Sequence, residues 1–85
     1  MKIHSIYDND GKTIDRYTVY YKGIGALEHR HNGVFRACLG MSERPCHPQG
    51  FGQHGSGLTG KHNGRRINFT DLPEACQRAV TQDLS

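Results

Sequence analysis

Residues 40–64 hold seven of the chain's 11 glycines, two of its three prolines and only four apolar side chains, Met41, Cys46, Phe51 and Leu58. A stretch so poor in apolar groups cannot build a core of its own. Connections of about 25 residues are uncommon in compact domains and are usually functional or disordered. The composition therefore predicts a long Gly/Pro-rich loop over 40–64, pinned to the body by Phe51 and Leu58. The core must come from the rest of an 85-residue chain, which is one small domain, 1–85.

That core is thin. Leu, Ile, Val and Phe together make 16 of the 85 residues, and four tyrosines add ring area. The formal net charge is +3, too small to keep such a chain unfolded by self-repulsion. Charge is unevenly spread. Residues 1–69 carry ten Lys/Arg against five Asp/Glu, whereas residues 70–85 set Arg78 against Asp71, Glu74 and Asp83. A mildly basic body can attract phosphate or an acidic protein. No run reaches the ~18 apolar residues of a membrane span, and Met1–Ser5 lacks the apolar centre of a secretory signal. The expected location is the cytoplasm, without membrane attachment. Three cysteines, Cys38, Cys46 and Cys76, are a poor disulfide framework and suit free thiols.

Alternation predicts a strand over Lys2–Tyr7 and a turn at Asp8-Asn9-Asp10-Gly11, where Asn, Asp and Gly supply positive φ. A second strand is expected over Thr13–Lys22, with Tyr17, Val19 and Tyr21 on one face and Arg16, Thr18 and Tyr20 on the other. Gly23-Ile24-Gly25 breaks it and His31-Asn32-Gly33 signals a further turn. Val34–Leu39 follows as a strand with Phe35, Ala37 and Leu39 on one side and Cys38 on the other. Arg65–Phe69 is the fourth. A C-terminal helix over about 72–83 follows from apolar positions 72, 75, 76, 79, 80 and 84, with Asp71 as cap, Glu74 completing a capping box and Pro73 in the first turn. The fold class is α+β: a small antiparallel sheet of about four strands covered by one helix.

Reaction motifs are incomplete. Gly55-Ser56-Gly57-Leu58-Thr59-Gly60-Lys61 matches a phosphate-binding loop until His62 stands where Ser or Thr should hold magnesium. Gly50-Phe51-Gly52-Gln53-His54-Gly55 matches a dinucleotide fingerprint outside any strand–helix context. Cys46, His47, His54 and His62 share the loop and invite a zinc-stabilised module, but adjacent Cys46-His47 suits a tetrahedral site poorly. His29-x-His31 reads as a solvated turn. Cys46 beside His47 cannot easily face it as nucleophile and base. Asp8, Asp10 and Asp15 flank a turn and accept backbone hydrogen bonds there. The chain is therefore expected not to be an enzyme and to need no cofactor or metal. The remaining constellation is basic and aromatic. Arg16, Tyr20, Lys22 and Arg36 are expected on one exposed sheet face, with Lys61, Arg65 and Arg66 near the last strand, where rings stack on bases and guanidiniums meet phosphates.

Three blocks occur together: Tyr7-Asp8-Asn9-Asp10-Gly11-Lys12-Thr13-Ile14-Asp15-Arg16-Tyr17-Thr18-Val19, then Pro45-Cys46-His47-Pro48-Gln49-Gly50-Phe51-Gly52-Gln53, then Gly64-Arg65-Arg66-Ile67-Asn68-Phe69-Thr70-Asp71-Leu72-Pro73-Glu74. From about residue 5 to residue 80 the chain resembles a family of small uncharacterised proteins carried by phages, prophages and plasmids. That family usually has Gly in place of Asp10 and a shorter segment around 24–33. The resemblance implies a mobile-element origin, not an activity, and carries over no catalytic residues. In the middle block Pro48 fixes the chain, Gly50 allows a bend, Phe51 anchors the loop in the core, and Gln49 and Gln53 bond loop backbone or present amides to a partner.

The leading expectation is a non-catalytic accessory protein that occupies a host protein or nucleoprotein complex, such as a defence complex of the CRISPR type. The alternative is a nucleic-acid-binding protein using Arg16, Tyr20, Lys22 and Arg36. A small zinc-stabilised module is the third.

Overall fold

The computed structural model describes residues 2–22 and 35–85. Gly23–Gly25, His29, His31 and the His31-Asn32-Gly33 turn signal lie outside them, as do Val34 and the side chain of Phe35. Five antiparallel strands form one sheet: β1 (Lys2–Asp8), β2 (Tyr17–Lys22), β3 (Phe35–Met41), β4 (Gly52–Leu58) and β5 (Arg65–Ile67), in spatial order β4-β3-β2-β1-β5. The first four form a meander. The chain then crosses the sheet from its β4 edge and adds β5 beside β1. A single helix, α1 (Glu74–Leu84), follows.

Strand alternation builds two faces, and both are partly covered. Ile6, Val19, Tyr21, Leu39 and Met41 face α1 and pack with Leu72, Cys76 and Val80, with Ala37, Ile67 and Phe69 at the margin. Val19, Met41, Cys76 and Val80 are fully buried. Covering side chains of this size stabilises by about 1.5–3 kcal/mol each. On the opposite face Tyr7 meets Tyr20 edge-on, with ring centroids 5.8 Å apart. The crossing segment lies there, because the Tyr20 hydroxyl donates to the Leu58 carbonyl at 2.9 Å and to Asn63 Oδ1 at 2.7 Å.

Residues 40–64 are not one loop. Gly40 and Met41 end β3, and Gly52–Leu58 pairs with β3 without a register break. The glycine count misled because strand pairing here is made by backbone, which β4 offers regardless of side chain. The true loop is 42–51. It is closed by Ser42, whose N–H donates to the Phe51 carbonyl at 2.9 Å and whose Oγ accepts from Phe51 N–H at 2.8 Å. Phe51 is half-buried and lies outside the core cluster, so it secures the loop through its backbone rather than its ring. Gly50 is required there, since a Cβ would stand 1.8 Å from the Arg44 carbonyl oxygen.

Two further expectations shift. The second strand begins at Tyr17 rather than Thr13, because Asn9 organises residues 9–16 into a self-bonded turn: its Oδ1 accepts from Gly11 and Lys12 N–H at 2.9 and 3.1 Å. The capping box also sits one turn earlier. Asn68 and Asp71 cap a short 3-10 turn (Phe69–Asp71), while α1 begins after Pro73 with no side-chain cap. The phosphate-loop match is overturned as well: Gly55–Leu58 is extended strand, followed by a three-residue 3-10 turn (Lys61–Asn63).

Candidate functional site

The turn 9–16 and the loop 42–51 stand at the same end of the sheet and wall a cleft of about 470 Å³ lined by Ile14, Arg16, Glu43, Arg44, His47 and Gln49, among others. Each wall is held by its own hydrogen bonds. In the turn, Asn9 Nδ2 donates to Thr13 Oγ1 at 2.8 Å, and the Thr13 hydroxyl donates to the Asp15 carboxylate. In the loop, Gly50 N–H donates to the His47 carbonyl at 2.7 Å, and Cys76 Sγ–H reaches up from α1 to the Ser42 carbonyl at 3.2 Å. Burial pushes the Cys76 thiol up to about 11, which keeps it a donor at neutral pH.

Arg16 joins the two walls. Its guanidinium bonds Asp8 from Nε at 2.9 Å, reaches Glu43 of the loop, and lies 5.2 Å from the centre of the Tyr17 ring. Asp8 is buried at the end of β1 and also accepts from Arg65 Nη2 at 3.2 Å and Asp10 N–H at 2.8 Å. The Arg16 hydrogen bond holds the Asp8 carboxyl below the usual carboxylate range, against the opposing effect of burial. At the mouth of this cleft stands Ile14, 66% exposed, the one large apolar side chain left outside among the described residues.

The nine residues expected to bind a partner separate into groups. Arg16 and Gln49 line the loop-end cleft. Lys22 and Arg36 stand at the opposite end of the sheet, and Arg66, placed opposite Tyr7 on β5, reaches back to the His4 carbonyl at 3.3 Å; partial burial, then the charges of Arg36, Arg66 and Lys22, holds His4 below its ordinary pKa. Gln53 borders a shallow depression of about 300 Å³ over Cys38, Gly40 and Gly57. Among the described residues, neither Gln49 nor Gln53 bonds loop backbone through its side-chain amide. Arg65 is engaged by Asp8 and Asp10, and Lys61 is exposed at the start of its 3-10 turn.

Tyr20 departs from expectation. It is 3% exposed, and burial pushes its phenol up to about 12. Its ring packs on Tyr7 instead of offering a stacking platform, because the crossing segment closes over it. Arg16, similarly, is part of the ion network rather than an open sheet face.

Sequence reasoning missed Ile14, Glu43 and His47 as cleft residues, and Lys2 and His4 at the basic end. An isoleucine amid Asp, Gly, Lys and Thr in a turn is the signal that could have found the first. Among the described residues no group of three or more His, Cys, Asp or Glu is gathered around a common point, so Cys46, His47, His54 and His62 do not converge. His54 instead lies 2.8 Å from Asp83 Oδ2, the same oxygen that accepts from the Tyr21 hydroxyl at 2.6 Å. Among the described residues no helix is long and apolar enough to cross a membrane.

The protein is thus a small α+β domain with a preformed cleft at one end of its sheet and a group of cations at the other, and no family model, curated protein or solved structure was found that matches it.

Proposed function

We propose that this is a non-catalytic binding protein that docks on a host protein or nucleoprotein complex through the loop-end cleft. Ile14 carries the reading: an exposed isoleucine at the rim of a cleft whose walls are fixed before any partner arrives. Rigid, pre-ordered walls reduce the entropy lost on association. An apolar anchor ringed by Arg16, Glu43, Arg44 and Gln49 has the pattern of an interface centre with a polar rim. The charged groups that the fold draws together, Asp8 with its two arginines and Asp83 with Tyr21 and His54, bind one another and support a structural use. The likeness of three sequence blocks to small phage and plasmid proteins supports a host component as partner, in the cytoplasm, with a defence complex as one form of it.

The test is affinity capture from nuclease-treated host lysate with the tagged wild type and the Ile14→Glu variant, both checked by circular dichroism. A discrete host protein retained by the wild type and lost with Ile14→Glu is the expected result. Retention of the same protein by both, or of none by the wild type, overturns the assignment of this cleft.

A further inference from the structure

The cations of this protein are sorted by the fold. Arg16, Arg65 and Arg78 each meet a carboxylate. Lys2, Lys22, Arg36 and Arg66 have no carboxylate partner among the described residues, as Lys12, Arg44 and Lys61 elsewhere have none; Lys2, Lys22 and Arg36 stand on neighbouring strands at the end of the sheet away from Ile14, and Arg66 stands on the adjoining β5, opposite Tyr7. Lys2 and Lys22 are direct cross-strand partners, an arrangement of like charges that destabilises a sheet. His4 stands at a break in the β1–β2 register between Ile3 and Ser5, the kind of irregularity that re-aims a side chain. Arg66 comes back along the sheet to donate to the His4 carbonyl at 3.3 Å. Arg36, Arg66 and Lys22 all act electrostatically on the one imidazole. Nothing in the packing of the core requires these charges to meet.

We propose that this corner binds the phosphate backbone of nucleic acid, independently of the loop-end cleft. The four strands span about 14 Å at ~4.8 Å between neighbours. One strand of B-form DNA presents about four phosphates over that length. Among the described residues the tyrosines are all buried, so the corner offers charge without a tyrosine platform, and recognition is of backbone and tolerant of sequence. A membrane surface fits less well, because lipid-binding faces combine cations with exposed apolar side chains, and among the described residues the one large exposed apolar side chain, Ile14, lies at the far end of the sheet.

The experiment is fluorescence anisotropy of the full chain with a labelled duplex DNA, a single-stranded DNA and an RNA, at roughly 50 and 200 mM salt. Four phosphate contacts weaken binding about 150-fold for duplex and about 50-fold for single strand over that range. The double variant Lys22→Gln/Arg36→Gln is compared with Lys12→Gln/Arg78→Gln, which removes the same charge elsewhere; Arg66→Gln is the second corner variant. The expected result is a loss of about tenfold or more for the corner pair, a salt slope lower by about two, and little change for the other pair. Three outcomes overturn the proposal: no binding at low salt, equal losses for both pairs, or tighter binding to phosphatidylserine vesicles than to any nucleic acid with the same variant sensitivity. Loss of host-protein capture with Ile14→Glu leaves this result unaffected, so the two surfaces are tested separately.

Discussion

The Tyr21 hydroxyl in the middle of the sheet donates to Asp83 Oδ2 in the last turn of α1, at 2.6 Å. Tyr21 is 1% exposed, so one phenol ties the centre of the sheet to the far end of the helix. His54 of the β4 edge strand reaches the same oxygen at 2.8 Å. Three elements meet at one carboxylate. Tyr21→Phe should lower stability by about 2 kcal/mol, the range for a hydrogen bond to a charged acceptor. Urea unfolding checks it; an unchanged midpoint would show that the clamp is not holding α1.

The buried phenols also set an alkaline limit. Burial raises Tyr20 to about 12 and raises Tyr21 further, the Asp83 hydrogen bond adding to the effect. A free phenol ionises near 10, so the unfolded chain gives up these protons first as pH rises. The stability they confer is complete below pH 10 and is lost progressively toward pH 12, on the order of 2–3 kcal/mol from Tyr20 alone. Denaturant midpoints followed from pH 9 to 12 should fall. The Tyr20→Phe variant should show a shallower fall.

Asp8 sets the acid limit with the opposite sign. Its carboxyl lies below its ordinary pKa in the folded protein. Its contribution is complete above about pH 4, the unfolded value, and disappears as pH falls through the lower folded value. Removing it at neutral pH leaves Arg16 and Arg65 without a shared carboxylate, and Asp8→Ala should destabilise by about 3 kcal/mol. Thermal unfolding at pH 7 and pH 3 checks both statements together: the difference between wild type and Asp8→Ala should shrink at the lower pH.

Two glycines should respond in opposite ways. Gly64 has φ +107°, and a Cβ there would lie 2.3 Å from the Asp8 carbonyl oxygen. Gly64→Ala should therefore cost more than about 2 kcal/mol. Gly55 sits in β4 with nothing within 4 Å of a built Cβ. Gly55→Ala should be neutral or stabilise by up to about 1 kcal/mol, through the unfolded chain. A melting series on the two variants decides it.

The thiols should separate by accessibility. Cys46 is exposed, Cys38 half-buried and Cys76 fully buried. Burial raises the pKa of both Cys38 and Cys76, and a thiol is far less nucleophilic than a thiolate. Alkylation of the native protein at pH 7.5, read by peptide mass, should label Cys46 first and Cys76 only after denaturation. Early labelling at Cys76 would contradict its packing under Ser42.

The architecture was legible where side chains decide it. Alternation around Tyr17, Val19 and Tyr21 located β2 and the side on which α1 packs. The spacing of Leu72, Cys76 and Val80 located the helix. β4 was hidden because glycine has no side chain to alternate, so its pairing with Phe35–Met41 leaves no trace in the pattern. The same limit applied to the binding surfaces. Alternation placed Tyr20 on the face opposite Tyr21 correctly, but nothing local shows that a segment from residues 59–64 will fold back over that face. The cations were recognisable as a set. Their division into those that answer Asp8 and those grouped around His4 depends on β5 lying beside β1, a pairing separated by almost 60 residues of chain.

That pairing has a kinetic meaning. β1 precedes the other strands in sequence but sits inside the finished sheet, with its second neighbour supplied by Arg65–Ile67. Until those residues are available, one edge of β1 has no strand beside it and Asp8 has only one of its two arginines. Contacts between such distant parts of the chain form slowly, because a large loop must close before they are rewarded. The meander β1–β4 needs only pairings between successive strands, whereas the sheet is sealed by the docking of Arg65–Ile67 from almost 60 residues further along the chain, a late step in its folding.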